Sequence, residues 1–202
     1  ITAIRTHVDV DPVIQLRGIQ AILNLRKKYK NKIDLQIVAF PQEGIEQSPG
    51  TYELMVEALK LGADVVGGHL SIVNDHRNHM EHVIQLAKTF IKPIDIHVDF
   101  NIDRDYSNKI SFSDGIMYPR DLGVVWMADE VIQSHFNGLT VASHLCGLDN
   151  LSPEDSTNVI NLLKKANISV IALPPGNLFL QGRSDNQKVR RGVTKVKELL
   201  NS

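Results

Sequence analysis

The sequence predicts an α/β fold, on three observations. Short β-branched runs recur at a spacing of roughly 30 residues, with helical-period segments between them, which is the repeat of a parallel sheet with crossover helices. Four of the eight histidines, His7, His69, His97 and His144, fall at or near the C-terminal ends of predicted strands in four different units. No glycine-rich phosphate loop follows the first strand, where Asp9-Val10-Asp11-Pro12 stands instead of G-x-G-x-x-G. Strand ends that must converge on one mouth favour a (β/α)8 TIM barrel over an open doubly wound sheet, which would spread them apart.

The elements follow in order. Ile4 to Val10 reads as a strand, and Ile14, Leu16, Ile19, Ile22 and Leu23 lie at helical spacing behind it. Ile33 to Phe40 is the second strand, followed by a helix carrying Met55, Val56 and Leu59. Asp64 to His69 is the third, with Val83, Ile84, Leu86 and Ala87 on the helix after it. Ile94 to Phe100, Leu139 to His144 and Ile168 to Leu173 complete six strands. The polar stretch from Asn101 to Tyr118, with Asp103, Asp105 and Asp114, interrupts the period and reads either as a long loop at the active-site mouth or as a surface insertion. An intact barrel takes about 250 residues. Six units in 202 residues therefore suggest that two of eight are absent, and that residues 1–202 form one partial barrel domain. The opening Ile1-Thr2-Ala3-Ile4, without methionine and already β-rich, reads as the start of an excised piece.

Composition narrows the function. Lys plus Arg total 22 against 23 Asp plus Glu, with neither sign concentrated, so the field that draws a protein to nucleic acid or an anionic membrane is missing. The longest apolar runs, such as Val170 to Pro175, fall far short of the roughly 20 residues that span a bilayer. The single cysteine, Cys146, cannot form an internal disulfide, which suits a reducing, cytoplasmic compartment.

Several residues could carry chemistry. Strand alternation places Asp95, His97 and Asp99 on one face, pointing into the barrel. A strand-end histidine such as His97 or His144 can be a hydrogen-bonded core residue or a metal ligand, and their presence at the same end of neighbouring units strengthens the second reading. Gln42, after Ala39-Phe40-Pro41, offers a donor and an acceptor suited to a ring bearing a carbonyl beside an N–H; its alternative is a turn or capping role. His7 and Asp9 share a face and invite a metal reading, but lack partners of equal strength upstream. His76, His79 and His82, at three-residue spacing, read as a solvated helix face opened by an Asn74 or Asp75 cap.

Asp34 to Gly44 (DLQIVAFPQEG), Gly62 to Gly68, Ile94 to His97, Val141 to His144, Leu180 to Arg183 and the opening Arg5 to Asp9, in this order over the whole chain, resemble bacterial cytosine deaminase and its relatives in the amidohydrolase superfamily. The resemblance implies a (β/α)8 barrel with one divalent metal, zinc or iron, that activates water to attack a ring carbon bearing an amine. It implies that His97 is the metal ligand of the fifth barrel strand. His144 becomes the sixth-strand histidine that contacts the activated hydroxide, and Gln42 the reader of the substrate's carbonyl and ring N–H. The partner implied is a small nitrogen heterocycle.

Two departures follow. The resemblance implies that the chain holds barrel strands 2 to 7 and lacks the first and last, so that family's first-strand His-x-His and eighth-strand aspartate have no counterpart, and this polypeptide is expected to lack part of its metal site and to be inactive alone. The family's proton-shuttling glutamate is here Phe100. Either Asp103 or Asp105 replaces it, or the substrate is a triazine or a cyclic amide. A barrel that binds a small molecule without turnover is the competing reading. Strands near Ile4 and Ile168 would be unpaired edges, so the chain alone is expected to aggregate or form a homo-oligomer.

Overall fold

Alternating side chains build the first strand, β1 (Ala3–Asp9), in which Val8 is buried while its neighbours are half-buried or exposed. The computed structural model describes residues 1–100, 105–187 and 191–202. After β1 come α1 (Arg17–Tyr29), β2 (Asp34–Phe40), α2 (Thr51–Leu61), β3 (Val65–His69), α3 (His76–Phe90) and β4 (Ile94–Val98). A short antiparallel pair, β5 (Lys109–Ser111) and β6 (Met117–Pro119), precedes α4 (Gly123–Gln133), β7 (Thr140–His144), a 3-10 turn over Cys146–Asn150, α5 (Pro153–Lys165), β8 (Ile168–Ile171), α6 (Pro174–Leu180) and α7 (Val196–Leu200). The main sheet has six strands in the order β1-β2-β3-β4-β7-β8. That order never reverses, as a doubly wound sheet's must, so the fold is the α/β repeat of a partial TIM barrel.

Within the single domain expected over residues 1–202, contacts gather in two compact units, Ile1–Ile96 with Phe136–Gly138, and His97–His135 with Leu139–Ser202. In the first unit β1 and β2 run parallel from Ala3↔Asp34 to Asp9↔Phe40, and β2 meets β3 at Val38↔Val65. Val38, Phe40 and Val65 form a buried cluster on one face of these strands. Gly67 lets β3 approach it, because a Cβ there would lie 2.7 Å from both the Ala39 carbonyl oxygen and Phe40 Cδ2. On the other face α3 buries Met80, Val83, Ile84, Leu86 and Ala87, an apolar stripe at helical spacing. Asp75 caps α3 by accepting from the Asn78 N–H at 3.0 Å. Asp64 locks β2 to β3, accepting from the Ile37 N–H and from Arg26 Nη1, each at 2.8 Å.

The strands of this unit curl. In a flat sheet β1 and β4, with two strands between them, would lie about 14 Å apart. Yet Arg5 Nη1 reaches Asp95 Oδ2 at 2.6 Å and His7 Nε2 stands 3.5 Å from Asp95 Oδ1. Side chains of non-adjacent strands meet in this way only over a concave face, as in a barrel interior.

In the second unit β7 and β8 pair in parallel from Thr140↔Ile168 to Ser143↔Ile171. α5 starts at a Ser152 cap followed by Pro153, with Glu154 and Asp155 in its first turn and Lys164 and Lys165 in its last, in accord with the helix dipole. Its buried face carries Val159, Ile160, Leu162 and Leu163. β4 stops at Val98, two residues before the expected Phe100, because Asp99 adopts φ 52°. The Asp99 carboxylate then turns to the start of α4, accepting from the Gly123 N–H at 2.7 Å and the Val124 N–H at 2.9 Å. It does not join Asp95 and His97 on one strand face, a correction to strict alternation. The long polar connection carries the β5–β6 pair, a hairpin that its polarity concealed. Asp103, within it, lies outside the described residues. No helix among those described is long and apolar enough to cross a membrane.

Asp95 is fully buried, which pushes its carboxyl up, but the His7 and Arg5 contacts outweigh that and hold it below its ordinary 3.8. Removing it strands a partly buried guanidinium. Asp95→Ala is expected to cost about 3 kcal/mol in urea unfolding, the low end for a broken buried pair since Arg5 keeps some exposure. Because the folded-state value is depressed, this contribution is full above about pH 5. It disappears as the pH falls below 3.8 toward the folded value, so wild type and variant should converge in acid.

Candidate functional site

Polar side chains gather at the C-terminal strand ends of each unit. In the first, Gln42 sits in a turn closed by the Gly44 N–H donating to the Pro41 carbonyl at 2.9 Å. Its side chain is not idle: Nε2 lies 3.2 Å from His69 Nδ1, at the end of β3. His69 Nδ1 is also 3.3 Å from the Gln42 carbonyl oxygen. A neutral Nδ1 either accepts from the amide or donates to the carbonyl, so the tautomer of His69 sets which way Gln42 is held. Phe40 stacks between the neighbouring imidazoles, 5.2 Å from His7 edge-on and 6.1 Å from His69. His7 faces Asp95 rather than completing a site with Asp9. Burial, then the carboxylates Asp11 and Glu43, push Asp9 above its usual value.

In the second unit His97 and His144 come together, their rings edge-to-face at 4.8 Å between centroids. Phe100 packs against His144 at 5.3 Å. The strand end at His144 is tightly constrained. His144 and Leu145 both have positive φ, 81° and 51°, a conformation costly for non-glycine residues. The Leu145 N–H donates to the Val98 carbonyl at 3.2 Å, the Thr194 hydroxyl donates to the His144 carbonyl, and His144 Nδ1 lies 2.9 Å from Asn177 Oδ1. Gln181, almost fully buried, donates to the Phe100 carbonyl at 3.3 Å and accepts from the Gly192 N–H at 2.9 Å. Cys146 is buried, and burial pushes its thiol up to about 11, which makes it a poor nucleophile.

The structure thus brings together two of the sequence-derived candidates, His97 and His144, and gives Gln42 a partner in His69. Asp105 is exposed, and its carboxylate accepts from the Ser107 N–H at 2.9 Å, which holds it below its ordinary value. A general acid needs the opposite shift. Asn177 and Thr194 escaped sequence reasoning because nothing local links them to His144, 33 and 50 residues away.

The three α3 histidines are not one solvated face. His79 is wholly buried, with Nδ1 3.0 Å from Glu46 Oε2, while His82 Nδ1 lies 2.8 Å from Glu46 Oε1. Position 79 lies one turn before Val83, and so falls on the apolar stripe. Each imidazole engages a different carboxylate oxygen through its Nδ1, so Glu46 bridges the two histidines.

The donor chemistry for a metal is right but incomplete. His97 and His144 are two imidazoles where a catalytic zinc takes three protein ligands. Among the described residues no group of three or more His, Cys, Asp or Glu side chains is placed to hold a metal ion.

Imidazoles thus stand at or near the C-terminal ends of β1, β3, β4 and β7, in the α/β repeat of a partial barrel. No family model matches the chain. It is 29% identical over 198 residues, 97% of its length, to pterin deaminase of Rhizobium rhizogenes, of which it covers 42%. It is 28% identical over 146 residues to N-isopropylammelide isopropyl amidohydrolase of a Pseudomonas species, covering 69% of the chain and 32% of that protein. The solved structure of 5-methylcytosine deaminase from Klebsiella pneumoniae liganded with 5-fluorocytosine superposes on all of the chain and 46% of that protein, with TM-score 0.84 and 35% identity. The homologues of this chain are deaminases and amidohydrolases of the amidohydrolase superfamily. The chain spans less than half the length of these relatives.

Burial raises the Glu46 carboxyl, but hydrogen bonds from His79 and His82 prevail and lower it from 4.5 to about 2. Its stabilisation is therefore complete above pH 4.5 and lost as the pH falls toward 2. Thermal unfolding of Glu46→Gln against wild type should show a stability gap at pH 6 that closes over that acid range.

Proposed function

We propose that the protein is a hydrolytic deaminase of nitrogen heterocycles. The observation that carries this reading is the contact of His97 and His144 at the ends of β4 and β7, in a chain alignable end to end with a 5-methylcytosine deaminase. Water adds to the ring carbon that bears the amine, one of its protons passes to the adjacent ring nitrogen and the other to the amine, and the C–N bond breaks so that ammonia leaves and the oxygen stays as the ring carbonyl. A divalent metal, zinc or iron, would lower the pKa of that water toward neutrality. His97 is assigned as one of its ligands. His144 takes the water proton at its ring nitrogen, and Gln42 binds the substrate's carbonyl and ring N–H. With the Phe100 ring against His144, a glutamate-type shuttle is absent from that position. The remaining acid assignments are Asp103 and Asp105, and the turn that holds Asp105 favours Asp103. The reading includes a cytoplasmic location, supported by one free thiol.

The test is ammonia release by the full-length natural protein over pyrimidines, pterins, triazines and cyclic amides, at least one of which should be deaminated. Silence across the metal-loaded panel would leave a binding barrel without turnover. His97→Ala should sharply lower bound metal by elemental analysis, whereas His144→Ala should lose activity and retain more of it. Equal metal in His97→Ala and wild type removes His97 from the site.

Gln42→Ala loses hydrogen bonds to substrate in a water-poor site. We expect kcat/KM for the accepted substrate to fall roughly tenfold or more, since each such bond is worth about 1–2 kcal/mol. Unchanged kinetics would make Gln42 a turn residue only. β1 and β8 end the sheet, and Ile4 and Ile171 on them are exposed, so the 202-residue chain alone should self-associate in light scattering.

A further inference from the structure

Asn177 is 1% exposed, at the middle of α6, whose start is set by Pro174 and Pro175. A buried primary amide is costly unless its donors and acceptor are paired. Here only one side is: Oδ1 stands 2.9 Å from His144 Nδ1, while Nδ2 is buried with no partner among the described residues. Asparagine at this position therefore fails as a packing residue, since an aliphatic side chain of similar volume would bury no orphaned N–H. What it alone supplies is an acceptor aimed at one nitrogen of one imidazole. An amide oxygen facing Nδ1 requires a proton on Nδ1, and in a neutral imidazole the lone pair then resides on Nε2.

We propose that Asn177 is a positioning residue that fixes His144 as the Nδ1–H tautomer and presents Nε2 as its basic nitrogen. Two further contacts act on the backbone here: the Thr194 hydroxyl binds the His144 carbonyl, and the Leu145 N–H binds that of Val98. They hold the strand end at its positive φ, but neither touches the ring nitrogens. The rings of His97 and Phe100 set the plane of the imidazole by edge-to-face packing without selecting a tautomer. Asn177 is the acceptor at Nδ1, and an acceptor there places the proton on that nitrogen. That His144 is a proton acceptor in turnover rests on the proposed function, whereas the tautomer itself does not.

The tautomer is read by nitrogen-15 NMR of the histidine-labelled full-length natural protein, with His144 signals identified by their loss in His144→Gln. Wild type should show Nδ1 as the protonated nitrogen and Nε2 as the unprotonated one. Asn177→Leu should abolish that preference, and Asn177→Asp, which keeps the acceptor oxygen, should preserve a protonated Nδ1. In the full-length natural protein Asn177→Leu should lower kcat about 10- to 100-fold with KM changed less than about twofold, the cost typical of losing the partner that orients a functional imidazole. Asn177→Asp should recover part of that loss. A merely structural Asn177 would instead lower the melting temperature and leave the tautomer and the kcat-to-KM split alone.

An Nε2-protonated His144 in wild type, or the same tautomer in a folded Asn177→Leu chain, overturns the proposal. If Asn177→Leu does not fold, the wild-type and Asn177→Asp spectra decide. If no heterocycle is turned over, the deaminase reading fails and the NMR result still stands for or against Asn177.

Discussion

The first unit is organised around one buried carboxylate. Asp95 is fully buried on β4, and its charge is met by Arg5 at 2.6 Å and His7 at 3.5 Å, both on β1. An uncompensated carboxylate would be intolerable in that position, so the sheet must curl far enough for non-adjacent strands to share it. Arg5 Nε also donates to Gln36 of β2 at 2.6 Å, so one guanidinium connects three strands. The small residues of β3 complete the arrangement. Gly67 clears the concave face beside Phe40, and Gly68 clears the opposite face, where a Cβ would fall 2.9 Å from His79 Nε2.

At the end of β7 the chain accepts local strain to place a side chain. Positive φ at His144 and Leu145 persists because hydrogen bonds to Val98, from Thr194 and to Asn177 hold that segment from several directions. Such overdetermined strain concentrates where a side chain must be aimed rather than merely packed. The neighbouring Asp99, also at positive φ, ends β4 and caps α4, so one backbone deviation terminates a strand and starts a helix. The two features put His97 and His144 at the ends of β4 and β7 with their rings in contact.

In the proposed deaminase reading, Phe100 sets this chain apart from the glutamate that the resemblance to cytosine deaminase leads one to expect. An aromatic ring 5.3 Å from His144 lowers the local polarity and moves no proton, so any proton delivered to the leaving group must come from another residue. Gln42 and His69 form a second adjustable element, because the amide can donate to His69 only when that imidazole's Nδ1 is unprotonated. The orientation of the Gln42 amide at the first unit's strand ends thus depends on a tautomer as well as on a shape.

The order of elements and the α/β class were legible in the sequence, because periods of two and of 3.6 are local properties of the chain. The placement of His7, His69, His97 and His144 near strand ends was legible for the same reason, and the cap of α3 was narrowed to Asn74 or Asp75, between which the fold chose Asp75. Where local reasoning failed, a distant partner had decided. Asp99 left the strand because the first N–H groups of α4, 24 and 25 residues on, needed an acceptor. His79 was drawn into the core against Gly68 and Glu46 although its three-residue spacing suggested an exposed face. The ion pair of Arg5 with Asp95 spans 90 residues, and the hydrogen bond of the His144 ring to Asn177 spans 33. Sequence by itself determined which residues could form strands, helices and ligands. Only the tertiary structure decided which charge each buried group would meet and which nitrogen of His144 faces an acceptor, since both depend on backbone paths that converge far from each other in the chain.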